Sequence, residues 1–155
     1  MRVYLDNSVY NRPFDDQSQP RIWIETLAFS LVLHLIEAGD LQLIASSVVG
    51  YENLRNPFPE RREWVDRCLT LAKYSQPVNE KIRDRARELE KQGLRSMDAL
   101  HLACAEAAET DCFLTYDDRI VKRYKGGKVQ VLNPVEFILV VTAKREARND
   151  EDNHQ

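Results

Sequence analysis

Four acidic residues stand where carboxylates can be gathered to do chemistry. Asp6 closes the apolar run Arg2-Val-Tyr-Leu, and Asp117 follows the apolar run Cys112-Phe-Leu-Thr115. Asp98 falls in the first turn of a predicted helix, and Glu52 on a predicted helix that follows the apolar run Leu41-Gln-Leu-Ile-Ala45. Carboxylates brought close together repel and raise one another's pKa values. A hard divalent cation relieves that repulsion, and Mg²⁺ or Mn²⁺ prefers oxygen ligands shared with substrate phosphates. Such an ion activates water and stabilises charge on a phosphoryl oxygen, and a second ion about 3.5–4 Å away assists the leaving oxygen. That chemistry suits phosphodiester hydrolysis.

The same residue types have plainer uses. The chain holds 25 acids, and most must be solvated surface groups. An acid at a strand end also serves as a helix cap or an ion-pair partner. Asp98 complements its helix dipole, which is positive at the N-terminus, and Asp118, beside Asp117, is placed to cap.

Four apolar strands and the helices between them must position these groups. Arg2–Asp6 reads as a first strand, and Asn11–Asp16, with Pro13, as a loop. Arg21–Ala38 reads as a helix with an apolar stripe of Ile24, Leu27, Ala28, Leu31 and Leu35, stopped by Gly39. After the second strand, Ser46 or Ser47 caps a helix that carries Glu52 and ends near Asn56-Pro57. Glu60–Tyr74 and Asn79–Gln92 read as amphipathic helices separated by Gln76-Pro77. Ser96 caps a helix over Met97–Ala108, and Cys112–Thr115 is the third strand. Asp117 or Asp118 starts a short helix through Lys122. Val129–Leu132 is the fourth strand, and Asn133 caps a last helix with Pro134 in its first turn. Strands separated by helices imply an α/β fold with a central parallel sheet of about four to five strands flanked by helices. In such sheets ligands bind beyond the carboxyl ends of the strands, where Asp6 and Asp117 fall.

Composition narrows the chemistry further. The chain has 155 residues with 43% hydrophobic content, which suits one domain with a real core. Only three histidines and three cysteines occur, without CxxC spacing. A His-rich site, a zinc site and a disulfide framework are excluded, and a metal must be held by oxygen. Cys68, Cys104 and Cys112 read as buried thiols. The apolar runs Leu27–Ile36 and Val135–Ala143 are too short to span a bilayer, and the first residues lack a signal peptide's apolar stretch. The expectation is a cytoplasmic protein without membrane contact. Net charge is −3, which gives no global attraction to nucleic acid. Much of that charge lies in Glu146–Gln155, and residues 143–155 read as a polar, disordered tail behind a domain of residues 1–142.

Taken together, these segments resemble the PIN domain family, which includes the VapC-like toxins of bacterial toxin–antitoxin pairs. Val3-Tyr-Leu-Asp6-Asn7-Ser8 is similar to the family's opening strand, and Ser46-Ser-Val-Val-Gly-Tyr-Glu52 to its glutamate-bearing helix. Asp98-Ala-Leu-His-Leu-Ala103 is similar to its D-A-x-x-x-A helix, and Phe113-Leu-Thr115-Tyr-Asp117 to its strand ending in T-x-D. Order and spacing fit over about residues 1–142. The resemblance implies a PIN-like fold, a Mg²⁺ or Mn²⁺ cofactor and endoribonuclease activity. It implies Asp6, Glu52, Asp98 and Asp117 as metal-binding catalytic acids, with Asp118 the alternative to Asp117. Ser8 and Thr115 sit where family hydroxyls support the site, while Asn7 suits orienting Asp6, touching substrate or serving as a turn residue. RNA as substrate, an antitoxin partner and a homodimer follow from the same resemblance. A non-catalytic PIN-like binding or scaffold module is the alternative.

Other residues have two uses each. His101, one turn after Asp98, reads as a core or interface histidine rather than a general base. Arg55, Arg95, Arg119 and Lys122 lie near the motif ends and suit either phosphate contacts or solubility. Trp23 and Trp64 suit core or dimer packing.

Overall fold

Val3, Tyr4 and Leu5 are wholly buried, which places strand β1 (Arg2–Leu5) at the middle of the molecule. The computed structural model describes residues 1–154. The remaining strands are β2 (Gln42–Ser46), β3 (Tyr74–Gln76), β4 (Cys112–Leu114) and β5 (Gln130–Leu132). They form one sheet in the order β3-β2-β1-β4-β5, and every pairing is parallel. The chain first builds outward from β1 to β2 and β3, then returns to add β4 and β5 on the other side. The order therefore reverses between β1 and β4. Leu5 is in register with Leu114, so the two strands end together at that crevice.

The helices are α1 (Asn7–Asn11), α2 (Pro20–Glu37), α3 (Ser47–Leu54), α4 (Pro59–Leu69), α5 (Glu80–Glu90), α6 (Ser96–Ala107), α7 (Asp118–Arg123) and α8 (Pro134–Asn153). A 3-10 turn at Arg12–Phe14 follows α1. The α/β fold with a flanked parallel sheet is as expected, with five strands. Helix α6 is the apolar centre: Ala99, Leu102, Ala103, Cys104 and Ala105 are all buried. The ring of Tyr4 stacks on its register partner Phe113 with centroids 5.3 Å apart. The three cysteines are free and buried.

Several local readings change. Strand β3 begins where the helix expected over Glu60–Tyr74 was to end, because that helix stops at Leu69 and the chain turns into the sheet. Three residues at a sheet edge, two of them exposed, carry no alternation to read. The residues after Asp6, given no element from the sequence, form α1, a single short turn of helix, and the loop expected at Asn11–Asp16 holds the 3-10 turn. Ser96 is the first residue of α6 rather than its cap, and Arg95 precedes it without a capping side chain.

The apolar stripe of α2 is rotated. Glu25, Ala28, Phe29, Val32 and Ile36 are buried, whereas Ile24, Leu27 and Leu31 stay exposed beside Trp23. This helix is apolar on nearly every side, so spacing does not choose its inner face. Residues 143–153, expected as a disordered tail, continue α8 as exposed helix. Its N-terminal half is anchored by buried Pro134 and Phe137. The Ala, Lys, Arg and Glu that follow are strong helix formers. Among the described residues no helix is long and apolar enough to cross a membrane.

Candidate active site

Asp6 is the residue immediately after β1, and its amide continues the ladder by donating to the Leu114 carbonyl (3.2 Å). Only 5% of the residue is exposed. Burial pushes its carboxyl above the ordinary value of 3.8, opposed by hydrogen bonds from Ser8 and Thr115. Ser8 does two things at once. Its hydroxyl donates to Asp6 Oδ1 and accepts from the Tyr116 amide (3.2 Å), which ties the β1 end to the β4 end. Thr115 Oγ1 accepts from the Asp117 amide at 3.0 Å and so shapes the turn after β4. Asn7 Oδ1 is buried with no hydrogen-bond partner.

Glu52 lies on α3, whose N-terminus is capped by Ser46 Oγ accepting from the Val49 amide (3.3 Å). Its Oε1 meets His101 Nε2 on α6. Asp98, in the first turn of α6, is half-buried, and its carboxyl is pushed above 3.8. Burial is the main cause, followed by repulsion from Asp6, with Asp117 and Glu52 adding to it and His101 opposing. Asp98 therefore feels all three other acids, and the four expected site residues share one electrostatic neighbourhood.

Asp117 and Asp118 face different partners. Asp117 caps α7 by accepting from the Arg119 amide (2.9 Å) and forms a two-point ion pair with the Arg119 guanidinium (3.1 and 3.0 Å). That contact holds its carboxyl below the ordinary range. Asp118 turns outward to Arg21 (3.1 Å). Of the two, Asp117 is the one that adds to the field at Asp98.

Donor chemistry and geometry have separate answers on a metal. The four acids offer only hard oxygen ligands, and the carboxylate of buried Asp6 repels that of half-buried Asp98. The orphaned Asn7 Oδ1 adds an oxygen next in sequence to Asp6. These features fit Mg²⁺ or Mn²⁺. Among the described residues no three acids, histidines or cysteines converge into a ready-made cage. Glu52 and Asp117 are instead engaged by His101 and Arg119.

Of the other cations singled out in the sequence, Arg95 lowers the Asp117 carboxyl pKa, and Arg55 donates to the Tyr51 hydroxyl (2.6 Å). Trp64 packs against Phe29 and donates to the Tyr10 carbonyl (2.8 Å), while Trp23 is 54% exposed.

Sequence reasoning passed over Glu25. It is 2% exposed and braces the β4 end of the site. Its carboxylate meets Arg12 (3.1 Å), Arg21 (3.5 Å) and Asn133 (3.0 Å), and its carbonyl accepts from the Tyr116 hydroxyl. An acid in step with Phe29, Val32 and Ile36 on one helix was the available signal.

A parallel sheet with its order reversed at β1 and β4, and acids at that reversal, defines an α/β protein with a carboxylate-lined crevice. A PIN domain family model matches residues 3–126, and the chain belongs to the PIN domain family. No curated protein matches it. Among solved structures, it is similar to VapBC2 from Rickettsia felis bound to a promoter DNA fragment. That match has 17% identity and a TM-score of 0.59, covering 86% of this chain and 98% of that one. It is similar to FitAB bound to an IR36 DNA fragment, at 19% identity and a TM-score of 0.54, covering 86% and 95%. It is also similar to a toxin–antitoxin complex from Klebsiella pneumoniae, at 18% identity and a TM-score of 0.53, covering 85% and 97%. At these identities the likeness is one of fold.

Proposed function

We propose that the chain is a Mg²⁺- or Mn²⁺-dependent endoribonuclease that hydrolyses RNA phosphodiester bonds, acting as the toxin of a toxin–antitoxin pair. One observation carries the reading: Asp98 senses Asp6, Asp117 and Glu52 at the crevice where β1 and β4 end. Asp6, Glu52, Asp98 and Asp117 would hold the metal. When bound, the ion supplies a Lewis acid that lowers the pKa of water and offsets charge on a phosphoryl oxygen. Ser8 and Thr115 orient Asp6 and the turn that carries Asp117. Asn7 Oδ1, buried and unpartnered, is free to take a water or a substrate hydroxyl. Arg119 holds Asp117 at both carboxylate oxygens, and its guanidinium would suit a substrate phosphate once Asp117 turned to a metal.

An antitoxin or a second copy of the chain finds apolar surface to cover. Trp23, Ile24, Leu27 and Leu31 lie exposed on α2. A groove of about 580 Å³ between α3, α5 and α6 is lined by Val48, Tyr51, Ala86, Met97 and Leu100. The fold relative from Klebsiella pneumoniae is a toxin–antitoxin complex, which supports such a partner. We place the protein in the cytoplasm, the compartment of its RNA substrate, with residues 1–142 as the nuclease unit and the end of α8 as a solubilising extension.

The pairing of Glu52 with His101 and of Asp117 with Arg119 favours a second reading, a PIN-like nucleic-acid-binding or scaffold module without catalysis. Incubation of defined RNAs with the protein, with Mn²⁺ or with EDTA, separates the two. The nuclease cuts only with Mn²⁺ and loses cutting in Asp98→Asn. The scaffold binds RNA in both conditions and cuts in neither.

A further inference from the structure

A chain of buried polar groups runs behind the acids. Ser46 Oγ accepts from the Val49 amide (3.3 Å) and contacts the Tyr4 hydroxyl (2.6 Å). The Tyr4 hydroxyl contacts His101 Nδ1 (2.6 Å), and His101 Nε2 meets Glu52 Oε1. Tyr4, Ser46 and His101 are 0%, 3% and 1% exposed, while the Glu52 side chain at the end of the chain is 31% exposed. The members come from the elements that carry the acids. Tyr4 is on β1 two residues before Asp6, and His101 is on α6 three residues after Asp98. Ser46 ends β2 and caps the helix that bears Glu52.

We propose that His101 is a positioning residue that aims the Glu52 carboxylate at Asp6 and Asp98, with its own ring held by Tyr4 and Ser46. This rests on the metal-dependent nuclease reading.

The hydrogen bonds have one consistent direction when the ring is neutral. A carboxylate only accepts, so Nε2 donates to Glu52 and Nδ1 accepts from the Tyr4 hydroxyl. Tyr4 then accepts from the Ser46 hydroxyl, and Ser46 from the Val49 amide. Burial keeps the Tyr4 phenol protonated by pushing its pKa far upward, so it is a constant donor. The ring cannot turn without breaking a hydrogen bond at each end, the one to Tyr4 fully buried. His101 is bonded to Glu52 and lies one helical turn after Asp98 on α6, so it adjoins two of the four acids. A histidine that only stapled the core would have no need to end on a partly exposed acid. Partners of this kind orient metal ligands and typically change metal affinity 10–100-fold.

The test measures Mn²⁺ affinity by titration, together with Mn²⁺-dependent RNA cleavage, for wild type, Tyr4→Phe, His101→Leu and His101→Gln. Tyr4→Phe keeps the ring stacked on Phe113 and deletes only the hydroxyl, so it guards against a His101 variant that does not fold. Circular dichroism and Tm report folding. The proposal expects Mn²⁺ affinity to fall about 10–100-fold in Tyr4→Phe and His101→Leu. His101→Gln, which keeps an amide donor for Glu52, should recover most of the loss. Saturating Mn²⁺ should bring kcat of Tyr4→Phe back toward wild type. Wild-type Mn²⁺ affinity in folded Tyr4→Phe and His101→Leu, with only Tm lowered, would reduce the chain to a core staple. Equal weakening in the Gln and Leu variants would also overturn it. A wild type that binds Mn²⁺ and cuts RNA while the variants match it sinks this inference alone. A wild type that does neither sinks the nuclease reading as well.

Discussion

Arg119 grips Asp117 at both carboxylate oxygens, 3.1 and 3.0 Å away, while the next residue, Asp118, faces Arg21 on the far side of the α7 N-terminus. Two adjacent acids are thereby given different work. Asp117→Asn should weaken Mn²⁺ binding and cleavage at least tenfold, and Asp118→Asn should leave both within about twofold, as expected for an exposed ion pair. Calorimetric Mn²⁺ titration of the two variants decides it, and equal effects would reject the distinction.

Asp98 carries a cost that a metal would relieve. Burial and its acidic neighbours raise its folded pKa above the ordinary 3.8, so the folded protein holds this proton more tightly than the unfolded chain does. Its contribution to instability is absent below 3.8 and fully present above the raised folded value. Asp98→Asn should therefore raise the Tm of the metal-free protein at pH 7. The gain should shrink toward pH 4 while cleavage is lost throughout. Thermal melts in EDTA across that range check the sign.

Asp6 shares that behaviour, because burial raises its carboxyl in the same direction. Mn²⁺ and protons then compete for both groups. Mn²⁺ affinity should fall as pH is lowered from 7, beginning at a higher pH than for ordinary aspartates. Mn²⁺ isotherms at successive pH values test this, and a flat affinity down to pH 4.5 would contradict it.

Ser8 bridges the ends of β1 and β4 through Asp6 and the Tyr116 amide. Ser8→Ala leaves that amide without its acceptor and should cost about 1–3 kcal/mol of stability. It should also weaken Mn²⁺ binding. Urea unfolding with an unchanged m-value checks the first effect.

The exposed end of α8 makes few demands on the rest. Arg145 pairs with Asp40, and residues 146–154 are exposed. Removing residues 146–155 should move Tm by less than about 2 °C and leave cleavage unchanged.

How much of this was legible in the sequence differs by residue. Asp6 and Asp117 could be placed because they end apolar runs that become β1 and β4, and Asp98 because it opens a helix. Strand β3 was hidden because its neighbours, not its own three residues, define it. The inner face of α2 was misread because Leu27 and Leu31 are as apolar as Phe29 and Val32. The Ser46–Tyr4–His101–Glu52 chain depends on partners 42 to 97 residues apart, which no local pattern encodes, and Glu25 was marked only by its register with Phe29, Val32 and Ile36.

The most direct measurement is cleavage of one defined RNA by wild type and Asp6→Asn, each with Mn²⁺ and each with EDTA, alongside a Mn²⁺ isotherm for both proteins. The acidic crevice predicts cutting and a Mn²⁺ site in wild type alone, with EDTA abolishing the cutting and Asp6→Asn remaining folded. Undiminished cutting by Asp6→Asn, or by wild type in EDTA, would contradict it.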